Sequence, residues 1–227
     1  MANICNTTYE IFGTKEELNK LKSVLNKAIE ICKARNLKEI DDFFNREKEL
    51  CKNDEQLTDL VKRVNRKKEH VDTDPWVSDF YEALTSKTDY YDFAEGDGNM
   101  FFISCEDDRV IIDIDSKWVK VEEFEDMLNN YFEDLSVFYL TEEFGCGIWE
   151  TNDTKGDIFS DKYYVELDGD GDYFETDEKL LEYVNEYFEE YAEGEHNFQD
   201  VKSFKEYLDN LDPESEEYYV LMEVERI

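Results

Sequence analysis

An α+β fold is predicted by three features of the chain. A period-two run rich in β-formers, Asn3 to Phe12, leads directly into a long stretch of helical periodicity. Two short apolar or alternating runs, Met100 to Cys105 and Arg109 to Asp115, flank the polar triplet Glu106-Asp107-Asp108 as the arms of a hairpin would. From residue 121 onward, helical and strand periods continue to alternate.

Taken in order, the first strand ends at Gly13-Thr14, where Thr14 and Glu17 have the spacing of a capping box. The helix that follows places Leu18, Leu21, Leu25, Ala28 and Cys32 on one face and is expected to end near Asn36. Residues 37–70 read as helical but thinner in hydrophobics, with one cluster at Leu37, Ile40, Phe43 and Phe44 and another at Leu57, Leu60, Val61 and Val64. Asp74-Pro75 opens a short helix carrying Trp76, Phe80, Tyr81 and Leu84. After the hairpin, Val121, Phe124, Leu128, Tyr131 and Phe132 mark a second amphipathic helix. Val137 to Glu142, Gly147 to Thr151 and Lys162 to Leu167 read as strands. Asp168 to Gly171 turns into an acidic helix over 177–192, a last helix spans 200–210, and Tyr218 to Glu225 closes as an alternating strand.

Strand–helix–strand–strand–helix–strand is the order of a ferredoxin-like antiparallel sheet with packed helices. The core is assigned to 1–36 and 89–167. Residues 37–88 then form a helical insertion, and 168–227 an acidic α/β C-terminal extension.

Charge is distributed unevenly along this chain. Residues 71–227 hold 47 of the 60 acids and 10 of the 25 bases, a net −37, whereas residues 1–70 carry +2. With 16 Phe, 15 Tyr and 3 Trp the chain has the apolar surface to fold, so the acid belongs to a folded surface. Self-repulsion opposes compactness, and such a field acts on partners and association rates. Halophily would call for acid spread evenly, and here it is concentrated; solubility is the alternative reading of the charge beside a partner. Residues 1–8 are polar and do not read as a signal peptide. No run is apolar enough to span a membrane, so no membrane partner is expected. Cys5, Cys32, Cys51, Cys105 and Cys146 are odd in number, form no CxxC pair, and read as reduced core thiols of a cytoplasmic protein.

Met1-Ala2-Asn3-Ile4-Cys5-Asn6-Thr7, followed by Tyr9, Ile11 and Gly13, resembles the opening of the Api-like phage and pathogenicity-island family, with Ile4 where that opening usually has Trp. Ser116-Lys117-Trp118 resembles its Trp-containing turn without the usual proline pair, and Glu142-Glu143-Phe144-Gly145-Cys146-Gly147 its acidic, glycine-flanked turn. The match covers roughly 1–35 and 100–167. The resemblance implies a ferredoxin-like domain and a phage or mobile-element setting, and it transfers no catalytic residue.

Catalytic signatures are missing from the sequence. His70 and His196 have no Ser or Cys neighbour in a nucleophile context, and no P-loop, dinucleotide fingerprint or HExxH motif occurs, so neither an enzyme nor a cofactor is expected. Glu166 to Asp172 imitates a calcium loop. Counted from Glu166, position 12 is Asp177; counted from Asp168, Tyr173 takes the glycine position and Lys179 takes position 12. A glycine-rich hairpin turn is the preferred reading. Asp168, Asp170 and Asp172 would hold calcium in the alternative, a cation-binding or general protein-interaction module.

Lys62, Arg63, Arg66, Lys67 and Lys68 form the only basic cluster. It reads as a solvated helix face, or as a contact for nucleic acid, for an acidic partner or for the protein's own acidic half. The acidic helix carries Leu180, Val184, Tyr187, Phe188 and Tyr191 as its buried stripe, and Glu178, Glu182, Glu186, Glu189, Glu190 and Glu193 on its outer face. Its four like-charged i,i+4 pairs cost roughly 0.2–0.5 kcal/mol each. Such carboxylates rise about 6 Å apart along the axis, a loose match to phosphates about 3.4 Å apart per strand. The expected function is a phage-type inhibitor of a host nucleic-acid-handling defence protein, such as a CRISPR effector or restriction enzyme, that mimics nucleic acid and does not itself bind it.

Overall fold

The computed structural model describes residues 4–92, 94, 96–191, 196–211 and 219–227. The chain is α+β and divides into two compact units, Met1–Val137 and Phe138–Ile227.

In the first unit, β1 (Ile4–Gly13) buries Cys5, Thr7, Tyr9 and Ile11 on one face, as its alternation predicts. Thr14 caps α1 (Lys15–Lys48), its hydroxyl accepting from the Glu17 N–H at 3.2 Å. The stripe Leu18, Leu21, Leu25, Ala28 and Cys32 is buried. The helix does not stop near Asn36 but runs on to Lys48. Nothing in that stretch breaks a helix, and Lys68 paired with Asp41 at 2.5 Å and Lys67 over the Phe43 ring at 4.8 Å hold it. Arg35 makes a two-pronged pair with buried Asp79 at 2.5 and 3.0 Å, and Asn36 donates to the Asp72 carbonyl at 2.9 Å. α2 (Asp54–Glu69) starts from an Asn53 cap and buries only Leu60 and Val64. α3 (Val77–Thr85) packs Phe80 into the core and against α1.

β2 (Gly98–Cys105) and β3 (Arg109–Lys117) form the expected antiparallel hairpin, with a bulge between Met100 and Phe102 that drops Phe101 from the register. β3 also pairs with β1, giving the order β2-β3-β1. Val110, Ile112 and Ile114 share the buried face. On the other face Asn6 donates to Asp115, the Thr8 hydroxyl to Asp113 and Arg109 to Glu10, all within 3.1 Å. α4 (Glu122–Tyr131) closes this core, with Phe124 edge-on to Tyr9 at 5.1 Å and to Phe80 at 5.2 Å. Gly13 is held by a close approach, since an added Cβ would lie 2.6 Å from Leu135 Cδ2 and 2.8 Å from the Asp134 carbonyl oxygen. Gly13→Ala should therefore cost about 1–3 kcal/mol, read from the urea midpoint; an unchanged midpoint would mean that the 134–135 backbone yields freely.

β4 (Leu135–Glu143) leads into the second unit. It pairs antiparallel with β5 (Ile148–Thr151) around the turn at Phe144–Cys146, and Gly147 takes φ +72°. β6 (Tyr163–Leu167) is central to a separate sheet, flanked by β7 (Asp170–Phe174) and β8 (Tyr219–Glu223). β7 departs from the sequence reading, which passed from the turn directly to the helix. Its Asp- and Gly-rich sequence has little strand propensity. What makes it a strand is Asp168-Gly169, with φ +52° and +94°, the paired left-handed residues of a type I′ hairpin. Tyr164 lies across Gly171, where an added Cβ would be 2.2 Å from its hydroxyl oxygen.

α5 (Asp177–Tyr191) and α6 (Val201–Asp209) pack on this sheet around Phe188, Phe198 and Phe204. The expected single closing strand is two. β8 joins β6, while β9 (Glu225–Arg226) runs parallel to β5, and buried Val224 between them donates to the Lys162 carbonyl at 3.0 Å. Because β8 pairs with β6, residues 163–167 share a sheet with the C-terminal segment. All five cysteines are free, but only Cys5 and Cys32 are core thiols; Cys51 is half-buried, and Cys105 and Cys146 are exposed.

Candidate functional site

The second unit holds 28 acidic against 6 basic residues, a net −22, and α5 is its most regular acidic surface. The helix is anchored from within. Leu180, Val184 and Phe188 are fully buried, and Asn185 clamps the 198 backbone by donating to the Phe198 carbonyl and accepting from its N–H at 3.1 and 2.7 Å. Tyr187 is half-buried, and its hydroxyl donates to Asp168. Burial, together with that carboxylate, pushes the phenol well up. Tyr191 does not join the buried stripe, being 67 % exposed at the last turn, where no element covers it among the described residues.

Opposite this anchored face, Glu178, Glu182, Glu186, Glu189 and Glu190 are all exposed. Glu193 lies outside the described residues. None of the five has an ion-pair partner among the described residues. The cations near α5 are engaged at its start: Lys179 with Glu175 at 2.6 Å and Lys162 with Asp177 at 2.8 Å. Lys162 and the Tyr163 hydroxyl hold the Asp177 carboxyl below its usual range. Charge at the two ends differs in meaning. Asp177 and Glu178 complement the helix N-terminus, whereas Glu189 and Glu190 sit in a last turn without a basic residue, where the macrodipole disfavours anions by about 0.3–1 kcal/mol each. Both this adverse end and the i,i+4 repulsion are local costs that the buried stripe offsets. A rigid row of unpaired carboxylates can meet a basic surface without first breaking internal ion pairs.

Asp168, Asp170 and Asp172 are brought to the β6–β7 hairpin. Asp168 is in the turn, and Asp170 and Asp172 occupy alternate positions of β7. Among the described residues no group of three or more His, Cys, Asp or Glu is arranged to hold a metal ion. No helix among them is long and apolar enough to cross a membrane. The basic cluster lies on α2, with Lys62 near Asp59 and Lys68 paired with Asp41 at 2.5 Å. Trp118, which the sequence placed in a turn, is exposed and in the left-handed region at φ +73°.

Comparison with protein-family models, with curated proteins and with solved structures finds no match to the chain.

Proposed function

We propose that this protein is an inhibitor without catalysis of its own, whose α5 face occupies the basic groove of a nucleic-acid-handling protein in place of nucleic acid. The observation that carries this reading is the five exposed glutamates, without an ion-pair partner among the described residues, on a helix that buries Leu180, Val184 and Phe188 on its other side. Charge of one sign, fixed on a rigid support, steers association with the opposite sign and needs no base reading. The resemblance to the Api-like family supports a phage or mobile-element setting, in the host cytoplasm, with a CRISPR effector or a restriction enzyme as target. It also supports a ferredoxin-like reading of the first unit, to which the order β1–α1–β2–β3–α4–β4 and the β2-β3-β1 adjacency add weight.

The test is direct competition. Purified restriction enzymes and CRISPR effector complexes are titrated with the protein at low and high ionic strength, with and without duplex DNA. A supporting result is binding to such a target that DNA displaces and salt weakens. Replacing Glu178, Glu182, Glu186 and Glu190 by Gln should abolish that binding and, by relieving repulsion, raise stability by about 0.5–1.5 kcal/mol. Binding that is insensitive to salt, or unchanged in the four-fold variant, would sink the mimicry reading.

A further inference from the structure

The first unit contains a groove whose chemistry is opposite to that of the α5 face. It lies between the C-terminal half of α1 and α2 as an open groove of about 660 Å³, within the volume range of small-molecule sites. Its walls follow from helical spacing. Asn36, Glu39, Ile40 and Phe43 recur at three- and four-residue intervals on α1, and Arg63, Arg66 and Lys67 do so on α2, with His70 just beyond its end. Ile40, Phe43 and Val71 are half-buried and form an apolar floor. Arg63, Arg66 and His70 are exposed, with no ion-pair partner among the described residues, while Lys67 lies over the Phe43 ring at 4.8 Å. In a chain of net charge −35, Arg63, Arg66 and Lys67 bring three positive charges to one groove with an aromatic residue in its floor.

We infer that this groove binds a ribonucleoside phosphate. The guanidinium forks of Arg63 and Arg66 suit a phosphate's geometry, and Lys67 adds a further positive charge. Phe43 offers a base the part of its ring that Lys67 does not cover. Glu39 and Asp72, which also line the groove, are acceptors for hydroxyl donors such as those of a ribose, and they disfavour a plain anion with nothing to donate. A polymeric nucleic acid fits less well. It would extend far beyond a Debye length of about 8 Å and meet the rest of the first unit, whose residues 71–137 hold 19 acids against 4 bases, whereas a small ligand feels chiefly the local cations. The inference is independent of the α5 reading, since it concerns other residues in the other unit, and either can fail alone.

The experiment is calorimetric titration of the whole protein with AMP, GMP, CMP and UMP, with adenosine and inorganic phosphate as separate arms. The expected result is one site per chain for at least one monophosphate, with adenosine and phosphate each weaker by about tenfold or more. Arg63→Gln with Arg66→Gln should weaken binding by about tenfold or more. Lys62→Gln, on α2 outside the groove, should leave it unchanged. Circular dichroism of the exposed-arginine double variant controls for folding. The inference is overturned by no binding of any monophosphate at millimolar concentration. It is equally overturned if inorganic phosphate alone binds as tightly, or if the double variant binds as the native chain does.

Discussion

Replacing Phe188 by Ala is expected to destabilise the second unit by about 3–5 kcal/mol, the range for removing a large aromatic from a core that cannot collapse. Phe188 is 0 % exposed. Its ring meets Phe198 and Tyr207 at 5.3 Å and Tyr219 at 5.4 Å, each tilted or edge-on, and Phe204 at 6.3 Å. These partners come from α6, from β8 and from the segment before α6, so no single movement can fill the void. Edge-to-face contacts add about 0.5–1.5 kcal/mol per pair beyond the area buried. Hydrogen exchange at α5 and β6 amides, followed through a urea series, reads the loss locally. Phe188→Leu, which keeps much of the volume, should fall well short of the Ala variant. Equal effects from both would show that ring geometry, not volume, sets the cost.

Asp153→Ala should have a comparable effect, by a different route. Asp153 is 3 % exposed, and its carboxylate accepts from the backbone N–H groups of Gly156, Ile158 and Phe159 at 3.1, 2.7 and 2.9 Å. Arg226 ties the same loop, donating to the carbonyls of Asp153, Phe159 and Asp161. Burial alone would push the carboxyl up, but these donors outweigh it and hold it below the usual carboxylate range. Hydrogen bonds to a charged group contribute about 1.5–3 kcal/mol each and do not add fully, so a loss of about 3–4 kcal/mol is expected. The sign in pH follows from the lowered pKa. The contribution is complete above the unfolded value of an Asp and disappears as pH falls through the lower folded value. The gap between native protein and Asp153→Ala should therefore be constant near neutrality and close in acid. A gap that persisted at low pH would show that the protonated Asp153 side chain holds the loop as well as the carboxylate does.

The two residues differ in how far the sequence disclosed them. Phe188 stood on a helical stripe with Leu180 and Val184, and its burial follows from spacing alone. Tyr191 obeyed the same spacing and is exposed, because periodicity gives a face but not how far the neighbouring element extends along it. Asp153 was one of 60 acids and carried no local signal. Its partners lie three to six residues on and in the last strand, and only the folded loop gathers them. The groove residues show the same limit. Arg63, Arg66 and Lys67 were visible as a basic cluster, but the face they share with Ile40 and Phe43 depended on α1 running on to Lys48.

What the sequence determined by itself is what arises within one element or one turn. It set the burial alternation of β1, the Thr14 cap, the β2–β3 hairpin, the amphipathic faces of α4 and α5, and the outward row of glutamates. Each follows from period, capping chemistry or turn residues acting over a few positions. The tertiary structure decided the length of α1, the strand state of β7 and the division of the closing strand between two ladders. Those outcomes depend on partners remote in sequence. The 37–48 part of α1 is held where Asp41 meets Lys68 and Phe43 meets Lys67, β7 needs the ladder of β6, and β8 and β9 are separated because Val224 is drawn inward beside Lys162. Local propensity in such segments is weak, so packing and cross-strand hydrogen bonding set the result.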